Sequence, residues 1–408
     1  MATIAVLGTL DTKGAEHAFV ADLIRERGHT PLLIDSGTLG EPTTKPDIAR
    51  EELLSAAGTD LPGILERKDR GSAVKAMSEG APVVAGGLFA EGRIDGMISL
   101  GGSGGTAIAT AAMRALPVGF PKVMVSTMAA GNVADYVGVK DITMMPSIVD
   151  VAGLNSVSRR IFANAAGAIC GMVETRVEAT KDKPVVVASM FGNTTDCVSI
   201  AQKVLETAGY EVLVFHATGT GGRTMESLID SGMVAGVLDV TTTEWADELV
   251  GGILGAGPAR LEAAARTGVP AVVAPGCLDM VNFGSPDSVP ETFAGRSFYE
   301  HNPQVTLMRT TPEENGQLGQ ILAGKLNAST GPIAVLLPTE AISVISAKGQ
   351  PFHDPAADAA LFTALRDNLR NDISIIEEPA AINDPAFAHL CAETLIQLMN
   401  STREKGNP

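Results

Sequence analysis

The sequence predicts an α/β protein of two Rossmann-like, three-layer domains with mostly parallel sheets. Three observations carry that prediction. The first is an internal repeat: Thr3–Asp35 (TIAVLGTLDTKGAEHAFVADLIRERGHTPLLID) and Pro184–His216 (PVVVASMFGNTTDCVSIAQKVLETAGYEVLVFH) have 33 residues each and align without gaps. Each reads as an apolar strand, a polar loop, an amphipathic helix, a glycine (Gly28, Gly209) and a second apolar strand. Glycine just past a helix supplies the left-handed C-cap, and parallel strands need such a crossover helix. The second is a set of short continuous apolar runs, the mark of strands covered on both faces. The third is Gly101-Gly102-Ser103-Gly104-Gly105-Thr106, placed between the apolar run Ile94–Leu100 and the helical pattern Ala107–Ala115.

The first domain, residues 1–180, continues past its β-α-β start. Pro42–Ala57 and Gly71–Phe89 read as helices, with an irregular piece at Pro62-Gly63. Pro121–Ser126 is a buried strand and Ile142–Met145 a short extended run. A long helix covers Asn155–Arg176, with Val157, Ile161, Ala165, Ala168 and Ile169 at helical spacing. Lys181-Asp182-Lys183-Pro184 reads as the joint. The second domain, 184–408, has strand patterns at Val185–Ala188, Val212–Phe215, Gly236–Leu238, Ala271–Ala274, Val305–Met308, Ile333–Leu337 and Ile373–Ile376. Asp354-Pro355 and Asp384-Pro385 read as helix caps, and the last helix as Asp384–Met399 with a frayed tail after Ser401.

Composition limits the function classes. The net charge is −17 and the pI about 4.8, which argues against nucleic acid and anionic membrane as partners. No signal-peptide pattern and no membrane-length apolar run are present. The four cysteines (Cys170, Cys197, Cys277, Cys391) are scattered, without a CxxC pair, so free thiols and a cytoplasmic location are expected.

In doubly wound sheets ligands bind beyond the C-terminal strand ends. In domain one those loops are Gly8–Gly14, Asp35–Gly40, Gly101–Thr106 and Ser126–Gly131, all rich in glycine and hydroxyls. A glycine turn opening a helix aims bare N–H groups at an anion. The expected nucleotide seat is therefore Thr9, Asp11, Thr12, Lys13 and Gly14, then Gly101, Gly102, Ser103, Gly104, Gly105 and Thr106, then Ser126, Thr127 and Gly131. Lys13 is the expected point charge for a phosphate, and Asp11 the group for a ribose hydroxyl or for Mg²⁺ through water. There is no Walker A segment, and the GxGxxA match at Gly102–Ala107 follows a later strand and lacks a ribose-binding acid. A non-Walker ATP site is preferred over NAD.

Domain two offers His216, Arg223, Glu244, Asp279, Asn282 and His301 as residues that could converge on one pocket. Arg223 would clamp an anion, Glu244 or Asp279 would act as base or Mg²⁺ ligand, and His216 or His301 would shuttle a proton. No local metal-ligand spacing exists, so any metal would be held by distant loops. Cys197 and Cys277 read as buried small residues rather than nucleophiles.

The chain resembles a family of uncharacterised bacterial and fungal proteins related to the N-terminal inhibitory domain of the tomato tobamovirus-resistance protein. The resemblance rests on TLDTKG (Thr9–Gly14), GTLGEP (Gly37–Pro42), GGSGGT (Gly101–Thr106), VDVAGLN (Val149–Asn155), FHATGTGGRTME (Phe215–Glu226), LDVTTTE (Leu238–Glu244), PGCLDMVNFG (Pro275–Gly284) and HNPQVTLMRTT (His301–Thr311). It implies a two-domain Rossmann-like architecture, ATP binding in the N-terminal half, and homodimers. The chain departs from it at Asn193–Cys197, where relatives often have Thr-Pro-Cys, and at Ala129-Ala130-Gly131, where others carry a Ser. The expected function is an ATP-dependent enzyme acting on a small polar or carboxylate metabolite in the cleft between the domains. A non-catalytic ATP-gated dimeric binding protein and an ATP-independent sugar-acid or acyl enzyme are the alternatives.

Overall fold

A computed structural model describes residues 1–60, 62–63, 69–176 and 182–405. It divides into two compact units, Met1–Ala179 and Thr180–Pro408. Lys181, in the expected joint, and the last three residues of the tail lie outside the described residues.

The N-terminal unit is built on five parallel strands: β1 (Thr3–Gly8), β2 (Thr30–Asp35), β3 (Gly96–Gly101), β4 (Lys122–Ser126) and β5 (Thr143–Pro146). Their spatial order is β2-β1-β3-β4-β5, so the chain reverses direction across the sheet between β1 and β3. Alternate residues of each strand serve different cores. Ile4 and Val6 pack with Val20, Ile24, Phe162 and Ile169 from helices Leu10–Glu26 and Ser156–Glu174. Ala5 and Leu7 pack on the other face with Leu53, Met77 and Ile108 from helices Arg50–Ala56, Arg70–Ala90 and Ser103–Ala115. Both faces are covered, which is why the strands read as unbroken apolar runs. The expected C-caps hold: Gly28 has φ +83° and Gly209 φ +95°. Asn155 caps its helix, accepting from the amides of Val157 and Ser158 at 2.9 Å each.

One expected helix shortens. Pro42–Ala49 is not helical; Asp47 and Ile48 instead donate their amides to Leu33 at 2.9 and 3.0 Å, and Ile48 bridges Ile34. Pro42 and Pro46 cannot supply helical N–H donors, so the segment runs along the β2 edge.

The C-terminal unit carries six parallel strands in the order β14-β13-β9-β8-β6-β7. They are β6 (Val185–Met190), β7 (Glu211–His216), β8 (Gly236–Thr241), β9 (Ala271–Gly276), β13 (Ile333–Pro338) and β14 (Ser374–Glu378). Val305–Met308 does not join them. It forms β12 (Val305–Arg309), the middle of a separate antiparallel sheet between β10 (Met280–Phe283) and β11 (Phe298–Asn302). An apolar run does not reveal its partner's direction. The last helix runs Pro385–Lys405, past the expected end. Asp354 caps its helix as expected, accepting from Ala356 and Ala357 at 3.1 Å each. The four cysteines are buried free thiols. No helix among the described residues is long and apolar enough to cross a membrane.

Candidate functional site: a glycine turn with unpartnered amides

β3 ends at Gly101 and the next helix begins at Ser103, with Gly102 as N-cap. Gly101 favours a missing side chain, because a Cβ there would stand 3.1 Å from Gly105 Cα, a tight contact against backbone. The turn is held from beneath by hydroxyls. Thr106 Oγ1 donates to the Gly102 carbonyl at 2.8 Å and lies 2.6 Å from Ser126 Oγ, which accepts from the Met128 amide at 2.9 Å. The first helical bond runs from the Thr106 amide to the Gly102 carbonyl, 2.8 Å. Among the described residues, the amides of Ser103, Gly104 and Gly105 have no protein acceptor, and no side chain caps this helix. Bare amides at a helix N-terminus attract negative charge.

They face a cleft of about 440 Å³. Thr9, Asp11, Thr12 and Lys13 come from the N-cap and first turn of helix Leu10–Glu26, Ser36 and Thr38 from the loop after β2, and Thr127 from the turn after β4. Val74, Met77 and Ile108 form an apolar wall. Gly101, Thr106 and Ser126 support the turn rather than line this cleft. Gly14 lets the first helix approach Thr43, whose Oγ1 lies 2.2 Å from the position of an added Cβ. Gly131 closes the turn after β4, its amide bonding to Met128 at 3.1 Å.

Two of these lining residues are also bonded within the fold. The Lys13 ammonium donates to the Val151 carbonyl and so ties the first helix to the loop after β5. Asp11 Oδ2 accepts from the amides of Leu39 and Gly40 at 2.7 and 3.2 Å, bracing the loop after β2. The cation over the turn is Arg70, whose Nη2 lies 4.0 Å from the position of a Cβ on Gly104. Arg70 is exposed and has no carboxylate partner among the described residues. Sequence reasoning missed Arg70 and Asp150, which also lines the cleft, because neither follows a glycine motif. Asp35 sits below the same edge, accepting from Leu10 and Gly37 at 3.0 and 2.8 Å; burial raises its pKa above the ordinary carboxylate value.

The C-terminal unit treats its proposed residues differently. Glu244 is 1% exposed. Its Oε1 accepts from the amides of Gly219 and Gly222 at 2.6 and 3.1 Å, and its Oε2 from Arg260 Nε at 2.7 Å. Arg260, itself 1% exposed, also binds Asp239 at 2.5 and 2.7 Å and Glu226 at 3.1 Å. Burial opposes the guanidinium charge, but Asp239 and then the other carboxylates hold its pKa well above the usual value. Glu244 is therefore a buried brace, not an open base. Asp279 is fully buried, accepting from Ser343 Oγ at 2.7 Å; burial raises its pKa to about 6, with Arg309 pulling back. Arg223 is exposed and bonds Thr220 and the Gly255 carbonyl at 3.2 and 3.4 Å. His216 ends β7, and His301 lies on exposed β11, 6.5 Å from the Tyr299 ring. Glu244, Arg223 and the His216 carbonyl border the same Gly219–Gly222 turn, whereas Asp279 is bonded to Ser343 and His301 lies on β11. Their proximity was inferred from loop position, which carries no information on burial.

Family models match both units: the N-terminal domain of the uncharacterised protein family UPF0261 over residues 2–178, and its C-terminal domain over 183–399. The chain belongs to the UPF0261 family. A UPF0261 protein of Clostridium tetani is 50% identical over 97% of this chain and 98% of its own length. Another from Rhizobium meliloti is 48% identical over 98% of this chain and the whole of its own. The tomato ToMV resistance protein Tm-1(GCR237) is 36% identical over 97% of this chain, which spans 56% of that longer protein. A solved UDP-N-acetylglucosamine 2-epimerase from Rickettsia bellii aligns at 13% identity over 98% of this chain and 96% of its own, with a TM-score of 0.24, too low to bear on the UPF0261 site.

Proposed function

We propose that the chain binds ATP in its N-terminal unit, with the phosphates on the Gly102–Gly105 turn, and acts as an ATP-dependent enzyme on a small polar metabolite. The observation that carries this reading is the set of unpartnered amides at Ser103, Gly104 and Gly105, facing a cleft beside Arg70. The cleft's size falls in the range of small-molecule sites, about 300–1,000 Å³. Its donors suit a phosphate chain, and Val74, Met77 and Ile108 offer a surface for a base. A Mg²⁺ ion accompanying the nucleotide would be held by the phosphate oxygens and water. ATP supplies a transferable phosphoryl group; the chain supplies amide and guanidinium donors that hold the charge.

Calorimetry with ATP tests the reading. Arg70→Ala should weaken binding about tenfold or more, since a charged hydrogen bond contributes about 1.5–3 kcal/mol. Raising salt should weaken the wild type more than the variant. An unchanged Kd in Arg70→Ala would remove Arg70 from the site. Failure to bind ATP, with a sugar phosphate bound instead, would favour an ATP-independent enzyme.

One observation favours a second reading, ATP-gated binding within a homodimer: Glu244 and Asp279, the proposed bases of the C-terminal unit, are buried in internal bonds. If a non-hydrolysable analogue reproduces every effect of ATP on oligomeric state, and no turnover is found, gating suffices.

A further inference from the structure

A second cleft of about 510 Å³ lies in the N-terminal unit, walled by Ser126, Thr127 and Ala130 after β4 and by residues 146–150 at and after the end of β5. Thr127 and Asp150 line both clefts. Thr127 reaches the glycine turn, its Oγ1 3.9 Å from the position of a Cβ on Gly102. The other hydroxyls are engaged: Ser126 with Thr106 and Met128, and Ser147 with the Val149 carbonyl at 2.6 Å. Asp150 is exposed, and among the described residues neither its carboxylate nor the Thr127 hydroxyl has a partner. The lining holds no lysine or arginine, which disfavours an anionic occupant. Ile148 stands at the cleft with φ +66° and is 72% exposed. A β-branched residue in the left-handed region is an outlier, found where neighbouring structure enforces it.

We infer that the second cleft is the acceptor subsite for phosphoryl transfer, and that the acceptor is a small neutral alcohol. The inference rests on the first cleft being the ATP site. In the step, the alcohol oxygen bonds to the γ-phosphorus. The bond from that phosphorus to the bridging oxygen breaks, and its electron pair leaves with ADP. The alcohol proton passes to Asp150 and then to water. Thr127, at the junction, donates its hydroxyl to the transferring group. An uncharged acceptor explains why a carboxylate faces this cleft and no cation does.

The test uses the full chain with MgATP and, separately, glycerol, ribose, myo-inositol or water, followed by ³¹P NMR. A phosphomonoester formed from at least one polyol is expected. Asp150→Asn should slow its formation at least about 100-fold, the scale of a lost general base, while the ATP Kd stays within about threefold. Ile148→Trp, which fills only the second cleft, should slow transfer to the polyol while leaving ATP binding and any slow transfer to water. Full-rate transfer in Asp150→Asn would overturn the assignment. So would a chain that binds ATP but yields no ADP, or inorganic phosphate alone at a rate the polyols leave unchanged. A wild-type chain that shows no ATP binding in calorimetry would instead sink the nucleotide reading itself.

Discussion

Each unit of this protein has a glycine turn that opens a helix, and the two turns end differently. In the C-terminal unit Gly219-Thr220-Gly221-Gly222 opens helix Thr220–Asp230, and Glu244 occupies its bare amides from inside the fold. The fit is close, with a Cβ on Gly222 falling 2.1 Å from Glu244 Oε2. In the N-terminal unit the amides of Ser103, Gly104 and Gly105 have no such partner among the described residues. The same local geometry thus serves as an internal anchor in one place and faces an open cleft in the other. What decides is a distant residue, not the turn.

The most disruptive way to break this comparison is Glu244→Ala. It leaves the Gly219 and Gly222 amides without an acceptor and removes one of the three carboxylates on Arg260, and it should destabilise the chain by about 2–4 kcal/mol in urea unfolding. A loss under about 1 kcal/mol would mean that Glu244 is not the anchor.

Next in size is a pH effect on helix Glu244–Val250, which carries both Glu244 and Asp247. Asp247 accepts from the Asn282 amide and Nδ2 at 2.9 and 2.6 Å, and burial raises its pKa from 3.8 to about 7 against the pull of those bonds. A raised folded-state pKa means that the folded chain binds the extra proton. The stability it contributes is full below the unfolded value of 3.8 and is lost as pH rises through about 7. Asp247→Asn should flatten that slope and leave the variant more stable than wild type at slightly alkaline pH by at least about 1 kcal/mol. Asn282 Oδ1, buried without a partner, can take the new amide proton. Denaturant titrations of both proteins across this range would check it, and parallel curves would refute it.

In the open turn, Gly104→Val should act on the ligand more than on the fold. Its Cβ would stand 3.3 Å from Val74 Cγ2, tight but at the flexible end of a side chain. ATP affinity should fall about tenfold or more, with under about 1 kcal/mol of stability lost. The smallest effects belong to Arg223→Ala and His301→Ala, both exposed, which should each change stability by less than about 0.5 kcal/mol. A larger loss in His301→Ala would show that β11 does more than cover β12.

Much of this architecture was legible in the sequence. Gly28 and Gly209 marked the ends of matched helices, and the unbroken apolar strands announced sheets covered on both faces. The glycine turn was legible as well, because its conformation follows from residues adjacent in the chain. What stayed hidden depended on packing between distant segments. Asp279 and Glu244 resemble active-site acids in a linear reading, yet Ser343, Arg260 and the amides of Gly219 and Gly222 claim them. Arg70 was passed over because its relation to Gly104 is spatial. Lys13 looked free because its acceptor, Val151, is remote in sequence. The antiparallel sheet escaped notice because β11 is polar and exposed, and β10 is only four residues long.

Arg260 ties together Glu226, Asp239 and Glu244, each brought by a different segment. A partly assembled C-terminal unit would therefore leave dehydrated carboxylates or a dehydrated guanidinium uncompensated, a state too high in energy to accumulate. The central strand β8, the turn at Gly219 and the segment carrying Arg260 must then come apart together. Hydrogen exchange at Gly219 and Gly222 would accordingly report the global opening of that unit rather than local fraying, although both sit in a loop.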